Sequence, residues 1–270
     1  MGYGSLNIIG LGPDGDQHLT LAARAALEQS TVVVGYEGYL RQLAPWLRRA
    51  FRPFPIGAER ERVLAAIALA RGGARVALVS SGDAGIYGLA SLALETLAAQ
   101  GWEAEREFPV AVLPGVSALS AAAALLGAPL GHDFAVVSLS DLLTPWPVIA
   151  RRLAAAAAAD FVLVLYNPAS RGRCTQLTEA RDLLLAHRAP DTAVGVVRNA
   201  YRPEQRVLRT TLGALPLDEI DMLTTVVVGA STTRPLGPWL VTPRGYGTVQ
   251  AGPVDRTPSS PSARGERDGG

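Results

Sequence analysis

The feature that most constrains the fold is a recurring alternation. Short aliphatic runs, apolar on both faces, are separated by Ala- and Leu-rich stretches of helical length. SLNIIG, TVVV, RVALVS and VAVL occur in the first half; FAVVSLS, FVLVLY, AVGVV, QRVLRTTL and TTVVVG follow in the second. A strand that is apolar on both faces must be covered on both faces, and helices between successive strands supply that cover. The pattern predicts an α/β chain with mainly parallel sheets. Helices are expected at about 20–29, 59–71 and 86–100, in SALSAAAALLG, from about Pro147, and up to about His187. The segment GAPLGHD carries two Gly and a Pro and marks a boundary between lobes at 1–128 and 129–249. Residues 250–270 are rich in Gly, Pro, Ser and Arg and read as a disordered tail.

Composition excludes several classes of function. The formal net charge of +1 gives no footprint for nucleic acid. All 25 basic residues are Arg, so lysine Schiff-base chemistry is ruled out and anions must be met by guanidinium forks. A single cysteine and three scattered histidines leave no expected metal site. The uncharged run from Val110 to Gly131 approaches the length of a membrane span, but Pro114, Gly115, Gly127 and Pro129 break it. A buried strand, a turn and a core helix are expected there instead. No basic flank precedes the first apolar run, so no signal peptide is expected, and Leu6 stands where a myristoylation signal needs Ser or Thr. The expectation is a cytoplasmic protein without membrane or nucleic-acid partners.

Gly10, Gly12 and Gly15 fit G-x-G-x-x-G after a strand, and Glu37 lies where a ribose-binding acid could stand. A dinucleotide site needs a helix to begin inside that motif, so that free N–H groups face the pyrophosphate. Here Pro13-Asp14-Gly15-Asp16 intervenes, with two carboxylates that would repel it, and helical character starts only near Leu19-Thr20. A tight strand-ending loop is the preferred reading.

The informative loops follow the other strands: SGDAGIYG, PGVSAL, DLLTPW, NPASRGR, RNAYRP and ASTTR. Any one of them could be ordinary helix capping, with Asp83, Ser117 or Ser170 as the cap. Six small polar loops at the ends of buried strands together predict a ligand cleft between the lobes.

Three segments carry a family resemblance: GLGP at 10–13, SGDAGIYG at 81–88 and PGVSA at 114–118. The chain resembles the tetrapyrrole methyltransferases, the class III S-adenosylmethionine-dependent methyltransferases, over about residues 5–247. The resemblance implies two αβα lobes, each a mainly parallel or mixed sheet covered by helices, with S-adenosyl-L-methionine folded between them, and usually a homodimer. GAPLGHDFAVVSLSDLLTPW, DFVLVLYNPASRGR and VTPRGY are similar, more narrowly, to the branch that methylates carbon 17 of precorrin-3B and contracts the macrocycle to precorrin-4 in cobalamin biosynthesis. The anaerobic counterpart acts on cobalt-factor III. Asp14 departs from the family glycine after GLGP, and Ser81 stands for a common glycine. A non-catalytic pigment-binding scaffold is the opposing class, and the intact SGDAG loop argues against it.

Carried over by resemblance, cofactor contacts fall on Pro13, Ser81, Gly82, Asp83, Ser117 and Ala118, and in the second lobe on Asn167, Ala200, Gly229 and Ala230. The donor is already activated, so alignment suffices and no protein nucleophile is needed. Ring contraction requires loss of a hydroxyl proton, for which a general base would help. Asp141 is the expected base, with Asp83 and His132 as alternatives. Arg171, Arg173, Arg198, Arg202 and Arg244 lie in or beside the strand-end loops and are expected to bind the substrate's acetate and propionate groups in bidentate fashion.

Overall fold

The computed structural model describes residues 4–14, 16–170 and 175–246. The first half forms β1 (Ser5–Gly10), α1 (Leu21–Gln29), β2 (Val32–Tyr36), α2 (Glu37–Leu43), β3 (Ala50–Phe54), α3 (Glu59–Arg71), β4 (Arg75–Ser80), α4 (Ala90–Ala99) and β5 (Val110–Leu113). Its five strands make one parallel sheet in the order β3-β2-β4-β1-β5. Alternation along each strand feeds two cores. Leu6, Ile8, Val76 and Leu78 pack with Val63, Ile67 and Leu97 of α3 and α4. On the other face, Ile9, Val33, Ala77 and Val79 pack with Ala23, Leu27, Leu40 and Leu43 of α1 and α2. The register is pinned because a one-residue slip would exchange these faces.

The chain then runs through α5 (Ala118–Leu126), β6 (Gly127–Ala128), β7 (Phe134–Ser138), α6 (Trp146–Ala158), β8 (Val162–Tyr166), α7 (Gln176–Leu185), β9 (Ala193–Arg198), β10 (Arg206–Thr211) and β11 (Thr224–Val228). The second sheet has the order β10-β9-β11-β8-β7. It is mixed: β7 pairs parallel with β8, while β11 runs antiparallel to both β8 and β9, and β10 antiparallel to β9. Only β7, β8 and β9 therefore point their carboxyl ends the same way. A three-stranded patch joins β12 (Arg234–Leu236) and β13 (Trp239–Val241) to β6.

Three differences from the sequence-based expectation matter for the site. First, α5 does not close the first half. Ala122 and Leu126 pack with Val162, Val164, Val197 and Val227 of the second sheet, while α6 and α7 cover its other face. Gly195 leaves the room: a Cβ there would lie 2.5 Å from Leu126 Cδ2. Burying one Leu contributes about 1.5–3 kcal/mol, so Leu126 ties α5 firmly to this sheet. The chain passes between sheets at residues 114–117, ahead of GAPLGHD. Second, the fourth helix begins at Ala90 rather than near Ile86, because Tyr87 adopts a left-handed conformation with φ 52°. Third, α2 and β3 were not expected. The run Val110 to Gly131 resolves into β5, a turn, α5 and the two-residue β6, and no helix among the described residues is long and apolar enough to cross a membrane. The expected tail at 250–270 lies outside the described residues.

Candidate functional site

The site begins where three backbones meet. Gly10 ends β1, Gly82 follows β4 and Gly115 follows β5, and a Cβ on Gly10 would lie 2.6 Å from the Gly82 oxygen and 2.7 Å from the Gly115 nitrogen. Gly12 and Gly82 exchange two backbone hydrogen bonds of 3.0 and 2.9 Å. Gly10 and Gly12 thus serve close backbone packing rather than a pyrophosphate; Gly15 lies outside the described residues. Consistent with that, α1 starts only at Leu21, capped by Thr20, whose hydroxyl accepts from the Ala23 N–H at 3.1 Å.

Asp83 clamps the neighbouring loops. Its Oδ1 accepts from the Gly85 N–H at 2.7 Å and its Oδ2 from the Gly115 N–H at 3.0 Å. Each carboxylate oxygen retains lone-pair capacity for a further donor. Ser117 caps α5, accepting from the Ser120 N–H at 3.4 Å. Around this junction Ser81, Gly82, Asp83, Ile86, Tyr87, Ser117, Ala118, Tyr166 and Asn167 line an open pocket of about 200 Å³. Six of the ten expected cofactor residues are therefore brought together, drawn from both halves of the chain. Pro13 sits beside them through its carbonyl, which accepts from Arg202 Nε.

Two tyrosines of the pocket were not assigned from the sequence. The Tyr166 hydroxyl, at the end of β8, accepts from the Leu119 N–H at 2.8 Å. Burial pushes this phenol above its ordinary range, outweighing that hydrogen bond, so it stays protonated near neutrality. Tyr87 packs against Tyr166 with ring centroids 5.4 Å apart. Its hydroxyl donates to the Val136 carbonyl at 3.1 Å and accepts from the Ser138 N–H at 3.2 Å, both on β7. Asn167, with φ 50°, donates from Nδ2 to Ser138 Oγ at 2.9 Å. A tyrosine ending a buried strand, and one inside the SGDAGIYG loop, were the available signals.

The remaining expectations divide. Gly229 and Ala230 lie elsewhere: because β11 is antiparallel, its carboxyl end falls beside the amino ends of β8 and β9. Ala230 lines a larger hollow of about 430 Å³ there, with Asp160, His187, Arg188 and Ser231. Ala200 packs against the α5 face of the second sheet and does not line the 200 Å³ pocket. His132 precedes β7, also at the far end, and accepts from the Asp133 N–H at 2.8 Å. Asp141 lies on the correct end, in the loop after β7, exposed, with Oδ2 accepting from Gln176 Nε2 at 2.9 Å. It stands outside the pocket lining.

Among the arginines, Arg198 is already committed. Its Nε donates to Asp221 Oδ2 at 2.8 Å, with Glu204 3.7 Å away. The hydrogen bond to Asp221 holds the guanidinium above its ordinary value. Arg244 is exposed beyond β13, two residues past Thr242, whose N–H donates to the Ala128 carbonyl at 3.0 Å. Arg202 reaches the first lobe instead of solvent, as described below. Arg171 and Arg173 lie outside the described residues.

A parallel sheet ending in a glycine junction, with an Asp-clamped pocket shared with a second, mixed sheet, is the geometry against which known proteins can be compared. The family profile described as "Tetrapyrrole (Corrin/Porphyrin) Methylases" matches residues 5–216. The chain belongs to this family. A tetrapyrrole methylase named "Probable cobalt-factor III C(17)-methyltransferase", from Salmonella typhimurium, is 46% identical over 242 residues, covering 89% of this chain and 99% of its own. The "Cobalt-factor III methyltransferase" of Priestia megaterium is 44% identical over 244 residues, covering 90% of this chain; that match spans only 45% of the Priestia protein. The crystal structure of the methyltransferase CobJ superposes with a TM-score of 0.83 at 37% identity, covering 89% of this chain and all of the other.

Proposed function

We propose that this tetrapyrrole methylase moves the sulfonium methyl group of S-adenosyl-L-methionine to carbon 17 of precorrin-3B, with ring contraction to precorrin-4, in cobalamin biosynthesis. Cobalt-factor III, the metal-containing counterpart on which the named relatives act, is the alternative substrate. The observation that carries the reading is the pocket in which Ser81, Gly82, Asp83, Ser117, Ala118 and Asn167 converge from two sheets.

The pocket fits the donor chemically. Gly82 adopts φ 65°, and a Cβ there would reach only atoms 3.7 Å or more away, so its backbone can approach a ligand without a side chain in between. Asp83 offers a fixed carboxylate to hydroxyl or amine donors, and the Asn167 side chain brings an amide from the second lobe. At about 200 Å³ the pocket is smaller than the ~300–1,000 Å³ usual for whole ligands, and it is open on one side. When bound, the donor supplies a methyl group already activated on sulfur. The protein's part would be to align the reacting carbon with that methyl group, an effect worth several kcal/mol of barrier. Asp141 is assigned the hydroxyl proton lost in ring contraction. We also place the division between the lobes at 114–117, and read the active unit as a homodimer in the cytoplasm.

Calorimetry with S-adenosylhomocysteine tests the donor site. It should bind and raise the melting temperature by mass action. A folded protein that ignores it at millimolar concentration, while responding to NAD, would refute the reading.

A further inference from the structure

One loop stands apart from the rest of the cleft. Residues 199–204 follow β9, and Asn199, Tyr201 and Glu204 all adopt left-handed conformations with φ of 51°, 58° and 61°. Non-glycine residues at positive φ are uncommon, and three in six positions require surrounding structure to hold them. Here the loop binds itself: the Arg202 N–H donates to the Asn199 carbonyl at 2.9 Å, the Gln205 N–H to the Arg202 carbonyl at 3.1 Å, and the Tyr201 N–H to Gln205 Oε1 at 2.7 Å. The Asn199 N–H is anchored on the Leu223 carbonyl at 3.0 Å.

The outcome is that Tyr201 and Arg202 project into the first lobe. The Tyr201 ring lies 4.3 Å from that of His18, centroid to centroid. Arg202 donates from Nη2 to Ser81 Oγ at 2.7 Å and from Nε to the Pro13 carbonyl. Its two acceptors belong to different loops, those after β4 and β1; Ser81 lines the pocket, and Pro13 follows Gly12, which is hydrogen-bonded to Gly82 of that lining. A guanidinium can do this because its donors are fixed in one plane; a lysine ammonium is a point charge on a flexible stem.

We infer that Arg202 is a positioning residue for the methyl donor: from the second lobe it fixes the Pro13 and Ser81 loops, and so sets the shape of the pocket those loops build. This reassigns a residue otherwise expected to hold a substrate carboxylate. The inference rests on the functional reading given above, in that the pocket is taken to be the donor site. It adds that the 199–204 loop acts on the donor rather than on the macrocycle.

The test compares Arg202→Ala and Arg202→Lys with the wild type, measuring S-adenosylhomocysteine affinity by calorimetry, and KM for the tetrapyrrole and kcat in the methylation assay. Losing two charge-assisted hydrogen bonds that shape the pocket should weaken homocysteine-analogue binding at least about tenfold in Arg202→Ala. The tetrapyrrole KM should stay within about twofold. Arg202→Lys, able to reach one acceptor, should recover part of the loss. Ser81→Ala should weaken binding less, and the double variant Arg202→Ala/Ser81→Ala should fall short of the product of the two single effects, because they share one contact. Should Arg202→Ala be folded and bind the analogue as tightly as wild type, the inference is overturned; a raised tetrapyrrole KM in that case would return Arg202 to the substrate. A wild-type protein that binds no analogue would instead sink the functional reading, and this inference with it.

Discussion

Replacing Gly115 by Ala tests the glycine junction directly. A Cβ at this position would fall within 2.6 Å of the Gly10 carbonyl carbon and closer still to the Gly82 oxygen, while ordinary contact begins at 3.4 Å. Both neighbours are backbone, so relief requires a strand end to move by roughly 0.8 Å or more, which a close-packed interior resists. The Gly82 oxygen is the acceptor for the Gly12 N–H, and the Gly115 N–H is the donor to Asp83. Overpacking of this kind costs about 1–3 kcal/mol, and weakening two hydrogen bonds adds about 1 kcal/mol each. The total is about 3–5 kcal/mol, or a fall in melting temperature of about 6–20 °C for a chain of this size. Gly57→Ala is the control: its φ is 87° but nothing lies within 4 Å of the added Cβ, so only conformational strain of about 1–2 kcal/mol remains. Thermal unfolding with and without S-adenosylhomocysteine reads both effects. The reasoning fails if Gly115→Ala melts no lower than Gly57→Ala and binds the analogue normally.

Asp83→Ala should weaken S-adenosylhomocysteine binding by about 1–3 kcal/mol; unchanged affinity in a folded variant, read by calorimetry, would reduce Asp83 to a loop clamp. Asp141→Asn should bind the analogue normally yet form ring-contracted product about 10²–10⁴-fold more slowly, and normal product formation by mass and absorbance would exclude Asp141 as the base. Burial raises the Asp221 carboxyl, but hydrogen bonds from Arg198, Thr224 and Leu223 outweigh it and hold the folded-state value below the ordinary one. Its contribution to stability is therefore full above the unfolded value of about 3.9 and is lost as pH falls through the folded value. The stability gap between wild type and Asp221→Asn should be level from pH 5 to 7 and narrow steadily as pH falls below about 4; a gap that does not narrow on acidification would contradict this.

The strands were legible because their apolar runs must be buried on both faces, and β1, β4, β8 and β11 stand where those runs are. Direction was not legible. TTVVV is equally apolar read either way along a sheet, and its antiparallel course carries Gly229 and Ala230 to the end away from the cleft. β3 escaped notice because AFRPF is an exposed edge strand with Arg52 and Pro53 inside it, a combination tolerated only where one side needs no partner. IYGL reads as the start of a helix, yet Tyr87 is left-handed and Gly88 lies against the Ala84 carbonyl. Ser81, Gly82, Asp83, Ser117 and Ala118 were legible because they sit in contiguous motifs, whereas Tyr87, in the same loop as Asp83, was not assigned. The role of Arg202 was not, since its acceptors Ser81 and Pro13 are 121 and 189 residues away and no local pattern encodes that distance.

The Tyr87 hydroxyl has a consequence for solubility. β7 is the outer strand of the second sheet, and the Val136 carbonyl and Ser138 N–H are the groups it turns away from β8. Unpaired groups of this kind recruit foreign strands and seed aggregation. Here a single phenol from the other lobe occupies both, as a stopper rather than a strand. Without that hydroxyl, a sticky edge is uncovered. Tyr87→Phe should therefore aggregate at concentrations the wild type tolerates, even where the pocket between the two sheets survives.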